Sequence, residues 1–99
     1  MFMEVAEIHI TAGSEAQFEA GVAQAVHLFQ RAKGCSAMHL ERSVETPTHY
    51  TLRVQWATID NHNIDFRESD DFQQWRKLVG GFFAAPPQVR HTSVAVAGF

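Results

Sequence analysis

Tyr50, Leu52, Val54 and Trp56 alternate with Thr51, Arg53 and Gln55, and this run constrains the fold more than any other stretch of the chain. Successive side chains of a strand point to opposite faces, so the run describes a strand with one apolar and one polar side. A sheet built on it is covered on one face only. The cover must come from the rest of a 99-residue chain, enough for a single domain over residues 1–99.

The flanking segments supply that cover. Met3 to Thr11 reads as a strand with Ile8 and Ile10 on one face and Glu7, His9 and Thr11 on the other. Ala12-Gly13 turns the chain, and Ser14-Glu15-Ala16-Gln17 has the spacing of a capping box that opens a helix. Phe18, Val22, Val26 and Phe29 form its apolar stripe, and Lys33-Gly34 closes it. Ser36 to Glu45 alternates again, with Met38 and Leu40 against His39, Glu41 and Ser43, and Thr46-Pro47-Thr48 turns it back as a hairpin. Beyond Trp56, Thr58 or Asp60 caps a helix whose Ile59, His62, Phe66 face is interrupted near Ser69-Asp70. A second helical run then carries Phe72, Trp75 and Leu78 as far as Gly80-Gly81. After Pro86-Pro87, Val89 to Ala97 is predicted as the last strand. The order β-α-β-β-α-β predicts an α+β, ferredoxin-like fold with a four-stranded antiparallel sheet and both helices on one face.

The bare face would then present Glu7, His9, Thr11, His39, Glu41, Thr51, Arg53, Gln55, His91 and Ser93, which must meet water or a partner. We expect a two-fold homodimer closed through this open sheet face as a polar-lined α/β barrel. His9 and His91 are expected to be cross-strand neighbours there, with His39 further across; they lack the tight spacing of a metal motif, and no metal is expected. A formal charge of −3 and a pI near 6.0 leave no electrostatic footprint for nucleic acid, and the polar face lacks the base-stacking aromatics of RNA-binding domains of similar topology. No window is apolar enough for a membrane span, the single Cys35 cannot pair internally, and Glu4 and Glu7 interrupt any signal-like start, so a cytoplasmic protein is expected.

The site-like stretch runs from Trp56 to Trp75, where a strand passes into helix and His62 lies one helical turn from Phe66. His62 reads as a pocket-lining, proton-exchanging ring or as a buried histidine bonded to a backbone carbonyl, and Trp56 reads as wall or as core.

In this layout the chain resembles the antibiotic-biosynthesis monooxygenase family of dimeric α/β-barrel proteins over nearly its whole length. The resemblance rests on Gly13-Ser14-Glu15-Ala16-Gln17-Phe18, Lys33-Gly34-Cys35, Tyr50 to Trp56, His62, Phe66-Arg67-Glu68-Ser69, Phe72, Trp75-Arg76 and Pro86-Pro87-Gln88-Val89, taken in order. It implies a homodimer, a pocket in each subunit between sheet and helices, and oxidation of aromatic rings by O2 with no cofactor. On that implication His62 is the catalytic proton acceptor or relay. Trp56, Phe66, Phe72, Phe29 and Phe82 or Phe83 wall a small aromatic or quinone-type molecule, and Arg67 is a partner for developing oxyanions. A non-catalytic ligand-binding or accessory protein of the same fold is the alternative. The haem-degrading relatives use an asparagine in the first strand and a histidine after the tryptophan. Ile8 stands at the first position and Phe66 at or near the second, so haem degradation is disfavoured even with His62 close by.

Overall fold

The alternating run forms the strand β3 (His49–Trp56), one of the two central strands of the sheet, in a computed structural model that describes residues 1–99. Tyr50, Leu52, Val54 and Trp56 are all buried, and the residues between them stay partly exposed. The other strands are β1 (Phe2–His9), β2 (Cys35–Arg42) and β4 (Gln88–Thr92), paired antiparallel in the order β2-β3-β1-β4. Helix α1 (Glu15–Gln30) follows β1. A π-helical segment (Asn61–Phe66), helix α2 (Asp70–Val79) and a 3-10 turn (Gly80–Phe82) follow β3. This is the ferredoxin-like arrangement expected from the element order.

The core lies between the helices and one sheet face. Ala6, Ile8 and Ile10 meet Phe18, Val22, Ala25, Leu28 and Phe29 of α1 and Trp75 and Val79 of α2. Each large side chain fully removed from water there contributes roughly 1.5–3 kcal/mol. Helix α1 turns its Gly21 to α2 so closely that a Cβ would lie 2.8 Å from the Leu78 carbonyl oxygen. That approach sets the helix's rotation. The buried set is Phe18, Gly21, Val22, Ala25, Leu28 and Phe29, and Val26, expected inside, is 37% exposed.

Two other expectations are corrected. Ser14 makes no side-chain cap bond; Gly13 at φ 90° donates its N–H to the Glu15 carboxylate at 3.0 and 3.1 Å instead, one residue into the helix. Strand β4 is shorter than expected and offset by one residue. It is placed by pairing with β1, in which His91 faces Glu4 and Val89 faces Ala6. Paired residues share a face, so His91 points toward the helices and leaves the open-face set, while Ser93 lies beyond the strand.

The open face carries polar pairs. Thr51 donates to Glu7 at 2.8 Å, Arg53 donates to Glu41 at 3.0 Å, His39 meets the same carboxylate at 2.9 Å, and the His9 and His49 rings stack at 3.7 Å. Val5, at the centre of this face between Arg53 and Arg90, is fully buried.

The entry to the site is fixed at the end of β3. Thr58 and Asn61 cap each other, with Thr58 N–H donating to Asn61 Oδ1 and Asn61 N–H donating to Thr58 Oγ1, both at 3.1 Å. Asn61 packs onto Gly34, which sits at φ 78° and whose carbonyl accepts the Ala57 N–H at 2.7 Å. A Cβ at Gly34 would overlap the Asn61 amide. Gly34→Ala is therefore expected to lower stability by about 2 kcal/mol or more, from the left-handed conformation and the displaced cap together. A thermal melt within a degree or two of wild type would contradict this.

Candidate active site

Glu4 belongs to the inward row of β1 with Ala6 and Ile8, and is 6% exposed. A carboxylate in that position needs partners. Trp56, from the end of β3, donates its indole N–H to Glu4 Oε1 at 3.1 Å. His62 Nε2 lies 3.2 Å from the same oxygen, and His62 Nδ1 lies 2.8 Å from Nε2 of His91 on β4. Three strands and one helical segment thus place Trp56, Glu4, His62 and His91 in a row of close polar contacts, with hydrogen bonds at its two ends and an ion-pair distance between Glu4 and His62.

The helical segment aims the imidazole. Asn61–Phe66 is wound as a π-helix, in which the Arg67 N–H reaches back to the His62 carbonyl at 3.2 Å, and such widened turns recur at functional positions. The His62 ring stacks on Trp56 with centroids 5.4 Å apart and planes 18° from parallel. His62 is 4% exposed.

Burial dominates the electrostatics. It pushes the Glu4 carboxyl up to about 7, against the opposing pull of the Trp56 hydrogen bond and the Arg67 charge. It pushes His62 down to about 4, helped by His91 and Arg67. At neutral pH the ring is neutral and the carboxyl is poised between its two forms, the condition that favours proton transfer to and from a ligand.

A cavity of about 500 Å³ opens beside this row, between the sheet, α2 and the chain leading to β4. Glu4 and His62 lie in its wall with Ala6, Ile8 and Leu52 from the sheet. Phe72, Trp75 and Arg76 face it from α2, and Arg67, Phe83, Pro86, Pro87 and Val89 complete it. The lining is half hydrophobic, with two guanidinium groups and one buried acid.

Of the residues expected at the site, His62, Arg67, Phe72 and Phe83 line the cavity. Trp56, Phe66, Phe29 and Phe82 do not. Trp56 is fully buried behind His62; Phe66 lies between Trp56 at 5.5 Å and Phe29 at 4.9 Å; Phe29 abuts Trp75 at 5.1 Å; and Phe82 meets Phe18 edge-on at 6.5 Å. They build the layer that supports the wall. Glu4, Trp75 and Arg76 were not expected there, although Glu4 shares the parity of Ala6 and Ile8 and so could have been placed inside. The three histidines predicted together are dispersed, with His9 on His49, His39 on Glu41 and His91 on His62, and no three metal-ligating side chains surround a common point. Cys35 is half-buried beside the core, and burial raises its thiol above the usual range.

Comparison with known proteins agrees with the architecture. The sequence profile of the family described as "Antibiotic biosynthesis monooxygenase" matches residues 1–78. The uncharacterized protein YczJ of Bacillus subtilis (strain 168) is 34% identical over 91 residues, spanning 92% of this chain and 96% of its own. A crystal structure from Bordetella bronchiseptica that carries the family name is 57% identical, covers 96% of this chain and 97% of its own, and superposes with a TM-score of 0.95. SnoaB, a cofactor-independent oxygenase from Streptomyces nogalater, shares the fold at a TM-score of 0.82 and 16% identity, over 97% of this chain and 94% of its own. The chain belongs to the antibiotic biosynthesis monooxygenase family. No helix is long and apolar enough to cross a membrane.

Proposed function

We propose that the protein is a cofactor-independent monooxygenase of a small aromatic or quinol-type metabolite, bound in the cavity between sheet and helices. The observation that carries this reading is the buried Glu4–His62 pair in the wall of a half-apolar cavity. An electron-rich phenol or anthrone that loses a proton there can itself pass an electron to O2. Recombination gives a ring peroxide, and loss of water leaves a carbonyl. For an anthrone the balance is one ring CH2 and one O2 in, one C=O and one water out, with all four electrons that reduce O2 taken from the substrate. Arg67 and Arg76 face the charge that develops on the ring oxygen, and Phe72, Trp75 and Phe83 offer faces for a flat ligand.

Oxygen uptake with a panel of anthrones and hydroquinones tests the reading. Wild type is expected to consume O2 in step with substrate, and His62→Ala to do so at least about tenfold more slowly. Tight binding of the panel with no turnover would instead favour a ligand-binding or accessory role.

The same proposal includes a homodimer through the open sheet face. Support comes from a sheet face that neither helix covers and that carries ordered polar pairs from three strands. Light scattering at micromolar concentration should give twice the 11.1 kDa chain mass, and a monomer mass would remove this part of the proposal.

A further inference from the structure

We propose that Glu4, through Oε2, is the atom that takes the proton from a hydroxyl-bearing aromatic ligand in the cavity, with His62 and His91 as the positioning residues that hold it ready. The inference rests on the reading of the cavity as an aromatic-ligand site and moves the proton acceptor from the imidazole to the carboxylate.

The geometry of His62 requires the change. An imidazole has two ring nitrogens, and neither is open to a ligand: Nδ1 is hydrogen-bonded to His91 Nε2 at 2.8 Å, and Nε2 faces Glu4 Oε1 in close contact at 3.2 Å. Nothing basic on the ring is left for a ligand. Glu4 differs. Its Oε1 takes both protein contacts, from the Trp56 indole and from His62, while Oε2 has no protein partner and Glu4 itself lines the cavity.

The hydrogen-bond directions follow. With Glu4 ionised, the Trp56 N–H donates to Oε1, His62 presents Nε2–H to the same oxygen at 3.2 Å, and His62 Nδ1 accepts from His91 Nε2–H. The Trp56 bond holds one carboxylate rotamer, and the contacts of His62 with Glu4 and His91 hold one imidazole tautomer. The groups around the carboxylate are Trp56 from β3, His62 from the π-helical segment, His91 from β4, the Cys35 thiol at the start of β2, and the Arg67 and Arg76 guanidiniums across the cavity. In the transfer the ligand O–H bond breaks, the Oε2–H bond forms, and the electron pair stays on the ligand oxygen facing the two arginines. No oxidant takes part in this step. A carboxyl held near 7 ionises in the range where the transfer is useful.

The test uses 2-hydroxyanthraquinone, whose hydroxyl is too far from the ring carbonyls to hydrogen-bond to them and whose visible absorption moves to longer wavelength when it loses its proton, and its methyl ether, which has no proton to give. At about pH 7, wild type is expected to bind the hydroxy probe at least about tenfold more tightly than the ether and to enrich the ionised spectrum over that of the free probe. Glu4→Gln should still bind both probes but lose the preference and the spectral shift. Should Glu4→Gln not fold, Glu4→Asp, which withdraws the carboxylate from the cavity, is expected to weaken both signals. His62→Gln is expected to move the pH midpoint of the spectral change. A Glu4→Gln or Glu4→Asp protein with the full preference and spectrum would overturn the assignment of the proton acceptor while leaving the aromatic cavity in place. An unmoved midpoint in His62→Gln would overturn the positioning role. Wild type that binds neither probe would overturn the aromatic-ligand reading, and this inference with it.

Discussion

Replacing Trp56 by alanine is expected to lower the unfolding free energy by about 4 kcal/mol, a large share of the roughly 5–15 kcal/mol that holds a domain of this kind together. The ring is fully buried and sits between His62 and Phe66, with centroids 5.4 and 5.5 Å away. Its removal opens a void at the end of β3, in a layer where Phe66, Phe29 and Trp75 already pack ring against ring. It also strips Glu4 of an indole donor at 3.1 Å. Trp56→Phe separates the two effects. Most of the volume is kept, the buried hydrogen bond goes, and a loss of about 1–2 kcal/mol is expected. Because that bond is the main influence holding the Glu4 carboxyl down against burial, Trp56→Phe should also raise the pH at which Glu4 ionises. Urea unfolding reads both variants, with the midpoint falling and the slope unchanged. An alanine variant within about 1 kcal/mol of wild type would show that the layer repacks, contrary to this account.

The second large effect is in the pH dependence of stability, where Glu4 and His62 are expected to act in opposite directions. Glu4 keeps its proton in the folded protein up to about 7, well above the ordinary 4.5. Its contribution is fully present below about 4.5 and is lost as pH rises through 7, because the unfolded chain releases the proton first. His62 stays neutral in the folded protein down to about 4, below the ordinary 6.5. Its contribution is present above 6.5 and is lost as pH falls through 4, because the unfolded chain binds the proton first.

Between about 4.5 and 6.5 the two slopes oppose each other and the contribution of the pair is nearly flat. Each swing alone amounts to up to about 3 kcal/mol, at about 1.4 kcal/mol for each pH unit of displacement. Glu4→Gln should therefore lose stability on acidification relative to wild type, and His62→Gln should gain it. Unfolding measured in steps from about pH 4.5 to 7.5 exposes the crossing. Parallel curves for wild type and both variants would mean that neither group is held away from its ordinary ionisation.

Much of the fold was legible because its strongest signals are local. Tyr50 to Trp56 fixed a half-covered sheet, Gly34 and Gly80-Gly81 marked the helix ends, and the order of segments left one common topology. The details that failed depend on distant partners. Strand β4 has little alternation of its own, and the apolar Val94 and Val96, both exposed beyond its end, suggested a longer strand than the pairing with β1 allows. His91 was placed outward because its pairing opposite Glu4, which sets its face, is not visible in the β4 segment alone. Glu4 was overlooked for a related reason. A glutamate near the start of a chain reads as surface, and the groups that make its burial tolerable, Trp56 and His62, belong to other elements. His62 was recognisable because a polar ring stood among large apolar side chains. The aromatics around it were harder to divide, since helical spacing is the same for a residue that faces a ligand and one that supports it. Phe72 and Phe83 fell on the cavity side, and Phe29, Phe66 and Phe82 on the core side.

The central claim is that this cavity lets a deprotonated aromatic substrate react with O2 using only the chain's own side chains. Turnover of an anthrone under 18O2 by chelator-treated protein, followed by mass spectrometry, tests it most directly. The account predicts a quinone product carrying one labelled oxygen atom, with its formation strongly reduced in Glu4→Gln. Absence of product, or label incorporation that appears only when a metal or flavin is added back, would contradict it.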